Sequence, residues 1–424
     1  MADRYQLPRG TFDVLPDESN ARARIERSAE RLFERAGFER ITTPAFEETA
    51  LFERGVGRST DIVQKEMFTF DDKGGRSITL RPEGTAPICR AYVEHGMKKL
   101  AQPVRLYYVG PFFRHERPQA GRYRQFNQIG AETIGTDSPM ADAELIIMLD
   151  ELFAKLRVPG IRLRLGSLGS LEARRGYREL LVAYLRRNEA RLSEDVRRRI
   201  DLNPLRAFDS DDPETRQVMQ SAPLLVESLD SEDAAHFYEV CSLLDEAGVQ
   251  YEIDPTLVRG LDYYTRTVFS FVSAKLGAQS EIGGGGRYDG LIEQLGGGPT
   301  PAAGWAVGIE RILLATARPI RPSRRLVVFV AVANDRDRRG AFRLAAQLRR
   351  TGITTQIDLG GRSLKGQFRH AERIGARFIF ILEESGEVSL RDRRSGESRR
   401  MDLSRFRDEP RELGAYLRDL SRSK

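Results

Sequence analysis

The sequence predicts an α+β body with a helical insertion, followed by a separate α/β unit. Three observations carry this prediction. Short β-like runs lie between amphipathic helices over residues 1–320, a charged helical stretch covers about 170–250, and a β-α-β-α-β pattern occupies 326–424. The last pattern is typical of a mostly parallel sheet. We therefore expect two domains, 1–320 and 326–424, with the Pro- and Arg-rich segment 317–325 between them.

The elements of the first domain follow from hydrophobic periodicity and its interruptions. Residues 18–36 have an amphipathic pattern that stops at Gly37, as a helix would. Residues 139–156 predict another helix, because Pro139 suits a first helical turn. The β-like runs RLYYVGPFFR and QFNQIGAETIG predict strands, and GWAVGIERILLATA passes from strand to helix.

Composition narrows the class of protein. Of 424 residues, 40% are apolar and 31% are charged, which is typical of a globular protein. The N-terminus has no apolar signal region, and the longest apolar run, 326–333, is far too short to span a bilayer. Cys89 and Cys241 stand far apart, and four histidines are scattered. We therefore expect no disulfide framework, no structural zinc site and a cytoplasmic protein.

Charge is unevenly distributed along the chain. From Arg325 onward there are 23 Lys and Arg against 14 Asp and Glu, a net charge of +9, whereas the preceding residues carry −3. A basic C-terminal domain favours a polyanion partner. A solvated, arginine-rich surface explains the same charge equally well, so charge alone does not identify a partner.

The densest group of candidate functional residues is the hairpin FRHERPQAGRYRQFNQIGAE, residues 113–132. Alternation along its second strand places four residues on one face: Phe126, Gln128, Gly130 and Glu132. Antiparallel pairing would bring Arg114 to the same surface, with the glycine leaving open space. A guanidinium suits phosphate, and an aromatic plane suits a base. The plainer alternative is a surface hairpin with ordinary ion pairs.

Two further segments offer ligand-binding groups beside structural alternatives. In TLRPEGTAP, Glu83 and Thr85 flank Gly84 and could hold an ammonium group, although a capped helix start explains them as well. In LVRGLDYYTRTVF, Arg259 precedes adjacent tyrosines. On a strand those tyrosines would face opposite ways, so we expect one of them to pack in the core.

Two glycine-containing segments complete the set. EIGGGGRYDGLIEQLGGG (281–298) could be a flexible linker, but Arg287, Tyr288 and Asp289 follow the glycines directly, which favours a ligand that approaches the backbone. In GWAVGIERI, a helix start carries Arg311, which could hold a phosphate or form a surface ion pair.

Together these segments resemble the histidyl-tRNA synthetases, a family of class II aminoacyl-tRNA synthetases. PRGTFDVLP, RPEGTA, FRHERP…RYRQF, LVRGLDYY, GGGRYDGL and GIER occur in that family's order over nearly the whole chain. The resemblance implies a catalytic domain built on an antiparallel sheet flanked by helices, a C-terminal α/β anticodon-binding domain and a homodimer. It also implies activation of L-histidine with ATP to histidyl-adenylate, helped by Mg²⁺, and transfer of histidine to the 3′ end of tRNA-His.

The resemblance also implies roles for individual residues. One set would bind histidine: Glu83, Gly84, Thr85, Gln128, Glu132, Arg259, Tyr263 and Tyr264. A second set would bind ATP: Arg114, Glu116, Phe126 and Arg311. Arg259 and Arg114 would be catalytic, and Arg117 and Gln119 are candidates for contact with the tRNA acceptor end. No residue pattern predicts a metal held directly by the protein.

Departures from the family pattern are small. Asn127 stands where many relatives have histidine, and Ser270 replaces an acidic residue expected after RTVF. One alternative is the non-catalytic regulatory subunit of ATP phosphoribosyltransferase, which lacks the anticodon domain. Another is an RNA-binding or sensor module that retains histidine binding. The basic C-terminal unit and the intact set of arginines favour the synthetase.

Overall fold

The computed structural model describes residues 5–57, 60–277, 280–316, 326–382, 387–403 and 410–422. The chain forms two compact units, Met1–Pro322 and Ser323–Lys424. The predicted linker 317–325 lies outside the described residues.

Helices of the first unit surround its sheet and also form the insertion. They are α1 (Pro16–Arg35), α2 (Thr49–Gly55), α3 (Thr85–Glu94), α4 (Pro139–Leu156), α5 (Leu171–Arg187), α6 (Glu194–Arg199), α7 (Pro213–Met219), α8 (Ser231–Glu246), α9 (Leu291–Gln294) and α10 (Ile309–Ala315). Helix α4 has the predicted bounds because Ser138 caps it by accepting a hydrogen bond from the Met140 amide. It ends at Arg157, which adopts a left-handed conformation with φ of 56°.

The strands of the first unit build one large and one small sheet. They are β1 (Glu39–Arg40), β2 (Phe46–Glu48), β3 (Phe68–Asp71), β4 (Ser77–Leu80), β5 (Val104–Phe113), β6 (Gln125–Ile134), β7 (Ile161–Ser167), β8 (Tyr251–Ile253), β9 (Thr265–Ser273), β10 (Glu281–Arg287) and β11 (Ala302–Gly308). The large sheet has the order β1-β5-β6-β11-β10-β9-β7-β8 and the small one β2-β4-β3. Neighbours in the large sheet are antiparallel, except that β1 pairs with β5 and β7 with β8 in parallel. The predicted antiparallel sheet flanked by helices is confirmed.

The glycine-rich run is a central strand of the large sheet. Strand β10 pairs with β9 on one side and β11 on the other. At its end, the side chain of Arg287 is fully buried, with Nη2 2.6 Å from Asp142 Oδ1. The other oxygen of Asp142 lies 2.8 Å from His236 Nε2. This buried network links the end of β10 to α4 and α8 through an ion pair and hydrogen bonds.

The insertion consists of α5 to α8 and of 3-10 helices at Glu189–Arg191, Pro204–Asp209 and Leu225–Ser228. The buried apolar side chains of α5 to α7, including Tyr177 and Leu181, belong to the same core cluster as Tyr263 and Tyr264. The helices therefore pack against the segment that precedes β9, which the sequence pattern alone does not indicate.

The second unit has a five-stranded sheet with helices. Its strands are β12 (Val327–Val332), β13 (Thr354–Ile357), β14 (Phe378–Leu382), β15 (Val388–Asp392) and β16 (Ser398–Met401). Its helices are α11 (Arg338–Arg350), α12 (Leu364–Arg373) and α13 (Pro410–Arg422). Strands β13, β12 and β14 are parallel, as the alternating pattern predicts, and β15 and β16 continue the sheet antiparallel. The sequence pattern does not indicate that hairpin, because its strands are short and partly polar.

Candidate active site

One cavity of about 450 Å³ in the first unit collects most of the predicted site residues. Its lining includes eleven of them: Glu83, Gly84, Thr85, Arg114, Glu116, Phe126, Gln128, Arg259, Tyr263, Tyr264 and Arg311. Segments far apart in the chain thus meet on one face of the large sheet. We call the part of the lining around Glu83, Tyr263 and Tyr264 the carboxylate- and tyrosine-rich end, and the part around Arg114, Arg122 and Arg311 the arginine-rich end. Such a lining suits a ligand with both cationic and anionic groups.

The inward face of the hairpin is as predicted. Strand β6 carries Phe126, Gln128 and Glu132 at alternate positions, and Phe126 pairs with Phe112 of β5. The space expected over Gly130, however, is filled. A Cβ atom at position 130 would lie 2.3 Å from the ring of Tyr108, which stands opposite on β5. The hydroxyl of Tyr108 is buried and finds no hydrogen-bond partner among the described residues. Tyr108 therefore adds a polar group that motif reading missed.

Glu132 is fully buried and does not line the cavity, but it is hydrogen-bonded to Thr85, which does. Thr85 Oγ1 donates to its Oε1 at 2.8 Å, and the hydroxyl of Tyr288 donates to its Oε2 at 2.5 Å. Burial raises the pKa of Glu132 to about 8, although both hydroxyls favour the ionised form. A pKa raised this far favours the neutral acid at neutral pH. Tyr288, for which the sequence predicts no individual role, is thus bonded to a predicted histidine-binding residue.

Glu83 combines the two roles that the sequence left open. Its carboxylate accepts the backbone N–H groups of Thr85 at 2.7 Å and Ala86 at 2.9 Å, the first residues of α3. It therefore stabilises the helix start while lining the cavity. Burial raises the pKa of Glu83. Nearby, the buried Oε1 of Gln128 finds no partner in the part of the chain that the structure describes, so it is available to accept from a ligand.

Both tyrosines of the LDYY segment line the cavity and also belong to a hydrophobic core cluster, so the core packing expected for one of them holds for both. Tyr263 and Tyr264 precede β9, in a turn, so strand alternation does not apply. Both are buried at 5% exposure, with their ring centroids 4.8 Å apart. Arg174 of α5 donates to the carbonyl oxygens of Asp262 at 3.2 Å and Tyr264 at 2.5 Å. The insertion therefore holds this turn in place.

Arg259 lies in the same segment and points along the cavity. Its side chain is 10% exposed, and Nη1 lies 2.5 Å from Glu281 Oε2. Its guanidinium carbon is 5.7 Å from the ring centroid of Tyr264. Burial disfavours the charged form, but Glu281 and then Tyr264 outweigh it and raise the pKa of Arg259. Glu281 precedes the glycine-rich run and was not among the predicted site residues. It is the ionic partner of Arg259, a predicted catalytic residue.

The arginine-rich end is formed by the hairpin loop and α10. Arg114 donates from Nε to the carbonyl of Pro82 at 2.9 Å, and its guanidinium lies 5.4 Å from the ring centroid of Phe126. Glu116 is 3.8 Å from Arg114 Nη1 and 3.1 Å from Arg122 Nε. The cation and the aromatic plane are therefore adjacent, an arrangement that suits a phosphate joined to a base.

Three predicted residues lie outside the lining of the cavity: Glu132, Arg117 and Gln119. Arg117 and Gln119 are exposed in the hairpin loop, where the backbone of Gln119 pairs with that of Arg122. Two residues of the insertion, Arg206 and Asp209, line the cavity although nothing in their sequence context indicates it. Only packing of the insertion against the sheet brings them there.

Comparisons with known proteins agree with this geometry. Residues 10–312 match the family described as histidyl-tRNA synthetase, and residues 327–413 match the anticodon binding domain. The histidine–tRNA ligase of Rubrobacter xylanophilus is 47% identical over 413 residues, covering 94% of this chain and 96% of that protein. The histidine–tRNA ligase of Halorhodospira halophila is 47% identical over 395 residues, covering 92% and 93%.

Solved structures show the same relationship. Apo histidyl-tRNA synthetase of S. aureus has a TM-score of 0.81 and 34% identity, covering 98% of this chain and 100% of that one. A protein described as an ATP phosphoribosyltransferase regulatory subunit/histidyl-tRNA synthetase, from Bacillus halodurans, has a TM-score of 0.66 and 22% identity over 90% of this chain and 99% of that one, which shows the fold alone. The matches to histidine–tRNA ligases favour a synthetase over the regulatory paralogue. This chain belongs to the histidyl-tRNA synthetase family.

Proposed function

We propose that this cavity performs both steps of histidine–tRNA ligation. In the first step, an oxygen of the histidine carboxylate forms a bond to the α-phosphorus of ATP, and the bond to pyrophosphate breaks. In the second step, a hydroxyl at the 3′ end of tRNA-His attacks the histidyl carbonyl, and AMP leaves. The observation that carries the proposal is that one cavity joins Thr85, which is bonded to the buried Glu132, and Tyr264 with Arg259 and the arginine-rich end.

The carboxylate- and tyrosine-rich end suits histidine. Glu83, Thr85 and Gln128 would bind the α-ammonium group, because they present oxygen acceptors at the cavity wall. Glu132 and Tyr264 would bind the imidazole, which has one donor and one acceptor nitrogen. A buried site built around such hydrogen bonds can reject analogues that lack them by roughly 10⁴-fold, because its own polar groups would be left unpaired.

The arginine-rich end suits ATP. Phe126 would stack on adenine, Arg114 would contact the α-phosphate, and Arg311 the γ-phosphate. Arg259 would lie between the histidine carboxylate and the α-phosphate. Bringing two anions together requires fixed positive charge at the reacting oxygens, and an arginine already held by neighbours supplies it without reorganisation. Glu116 would keep the hairpin arginines aligned through its contacts with Arg114 and Arg122.

Magnesium would enter with the nucleotide. Mg²⁺ prefers oxygen ligands and commonly binds through substrate phosphates and one or two carboxylates. In the described ranges, no group of three His, Cys, Asp or Glu side chains could hold a metal, and Glu116 and Glu281 each face an arginine. The phosphates of ATP would therefore provide most of the ligands, and the ion would offset their charge.

Transfer RNA would contact both units of the chain. Arg117 and Gln119 are exposed beside the cavity strands and would meet the acceptor end. The second unit would bind the anticodon, a role supported by its charge of +9 and by its match to the anticodon binding domain. No described helix is long and apolar enough to cross a membrane.

We also infer a homodimer in the cytoplasm. Phe46 and Phe70 are 54% and 48% exposed on the small sheet, and apolar exposure of this kind suits an interface between copies of the chain. Cys89 and Cys241 are free thiols, in keeping with a reducing compartment.

Exchange of pyrophosphate into ATP, measured with each of the twenty amino acids and without tRNA, tests the proposed function. We expect exchange with histidine alone, because activation precedes tRNA binding and the pocket selects imidazole. Histidine binding without exchange would instead support the regulatory or sensor alternative. Exchange with several amino acids would contradict the assignment of Glu132 and Tyr264 to the imidazole.

A further inference from the structure

Glu281 contacts both arginines that line the proposed path of the phosphates. Its carboxylate Oε2 lies 2.5 Å from Nη1 of Arg259, and its backbone carbonyl accepts a hydrogen bond from Nη1 of Arg311. Arg259 comes from the segment before β9 and Arg311 from α10. A single residue at the start of β10 therefore links two cations from separate elements.

The direction of the Glu281 side chain is set by the sheet. Pairing between β10 and β9 shifts register between Glu281 and Gly283, and a bulge of this kind re-aims the side chains beside it. Ser270 of β9 donates from Oγ to the same Oε2 at 3.1 Å. The acidic residue expected at position 270 is thus absent, while a carboxylate reaches the same place from the neighbouring strand.

The guanidinium of Arg259 is confined on several sides. A Cβ atom added at Gly284 would lie 3.0 Å from Arg259 Nη1, so the guanidinium rests against the bare backbone of β10. The ring of Tyr264 and the carboxylate of Glu281 border it elsewhere. Because Ser270 stands opposite Gly284 in the sheet, its side chain borders the same spot. Ser270, Glu281 and Arg259 therefore form one cluster.

An ordinary surface ion pair does not explain this contact. The side chain of Arg259 is 10% exposed while that of Glu281 is 47% exposed, so loss of Glu281 would leave a nearly buried guanidinium unpaired. Burial opposes ionisation of Glu281, but Arg259 and then Arg311 outweigh it, and the pKa of Glu281 is lowered. The carboxylate therefore stays charged where an anionic substrate is proposed to bind.

A fixed negative charge at this place weakens attraction for phosphate, so it does not serve ATP affinity. Its benefit is geometric, because an arginine held within a fraction of an ångström stabilises a developing charge better than a mobile one. We propose that Glu281 is a positioning residue that aims Arg259 at the reacting phosphate and ties it to Arg311. This inference rests on the proposed ATP-binding roles of the two arginines.

The test compares full-length wild-type protein with Glu281→Gln in histidine-dependent pyrophosphate exchange. We expect kcat to fall at least about tenfold while the KM for ATP stays within about twofold or decreases, because aim is lost and a repulsive charge is removed. Glu252→Gln, which alters an exposed ion pair with Arg162, is the matched control and should leave both constants unchanged. An unchanged kcat, or a loss confined to the KM for ATP, would overturn the inference.

A charge-relocation pair separates aiming from simple damage. Ser270→Glu combined with Glu281→Gln should recover at least about tenfold in kcat over Glu281→Gln alone, because the carboxylate returns to Arg259 from the other strand. Ser270→Gln combined with Glu281→Gln should recover nothing. If Glu281→Gln fails to fold, the relocated pair should restore folding and exchange. Equal behaviour of the two double variants would refute the positioning role. Absence of exchange in the wild-type protein would instead refute the proposed function.

Discussion

Buried arginines of the first unit and exposed arginines of the C-terminal unit represent two uses of one side chain. In the first unit, Arg287 is fully buried and Arg259 is 10% exposed, and each has an acidic partner within 2.6 Å. In the second unit, Arg399 is 54% exposed and Arg400 is 83% exposed. The first group has defined positions, whereas the second contributes mainly charge density.

Solvation explains the difference. A buried guanidinium loses hydration and is tolerated only with a charged or hydrogen-bonding partner, which also fixes its position. An exposed guanidinium keeps its water, and salt screens its field beyond about 8 Å at physiological ionic strength. Buried arginines therefore suit stabilisation of a reacting phosphate, and exposed arginines suit attraction of a long polyanion.

The largest effect should follow removal of a fixed arginine. Arg259→Ala should reduce histidine-dependent pyrophosphate exchange by about 10³-fold or more, because a preorganised charge at the reacting phosphate contributes roughly 4 kcal/mol. The fold should remain intact by circular dichroism. Arg400→Ala, at an exposed position, is the control and should change exchange less than about twofold. Similar losses in the two variants would remove the distinction.

A smaller effect should follow removal of Glu132, the buried acid bonded to Thr85 of the same cavity. The pKa of Glu132 is about 8 in the folded protein and near 4.5 in the unfolded chain, so its contribution to stability is present below pH 4.5 and lost as pH rises to 8. Between pH 5 and pH 8 the free energy of unfolding should therefore fall in wild type but not in Glu132→Gln, so the variant gains about 2–3 kcal/mol relative to wild type. The shift of the pKa allows at most about 1.4 kcal/mol for each pKa unit.

Denaturant unfolding of both proteins at the two pH values, without ligands, measures this change. The same variant should lose histidine-dependent exchange, since the imidazole loses its partner. Glu397→Gln, at an exposed turn of the second unit, should show no pH-dependent difference. A difference between wild type and Glu132→Gln that stays constant with pH would contradict the raised pKa.

The smallest effect concerns salt. Raising KCl from about 50 to 200 mM should lower kcat/KM for tRNA about tenfold, as expected for two or three phosphate contacts made by exposed cations. Pyrophosphate exchange should change less than about twofold, because the arginines in the cavity are shielded from ions. An equal decrease in both reactions would mean that exposed arginines also govern activation.

Local regularities made much of the fold predictable from the sequence. Pro139 at the first helical position marked the start of α4, and the alternation of strands and helices predicted the parallel part of the second unit. The face of β6 that carries Phe126, Gln128 and Glu132 followed from strand parity. Each of these features depends on residues a few positions apart, where backbone geometry fixes the relation.

The sequence by itself therefore determined the family, the two-unit plan and eleven of the residues that line the cavity. Tertiary structure decided how they are arranged. It placed Tyr108 over Gly130, turned both Tyr263 and Tyr264 toward the cavity, and brought Glu281 to Arg259. These outcomes depend on strand pairing, a bulge and a docked insertion, so they arise from contacts between segments that are distant in the chain, and no local pattern encodes them.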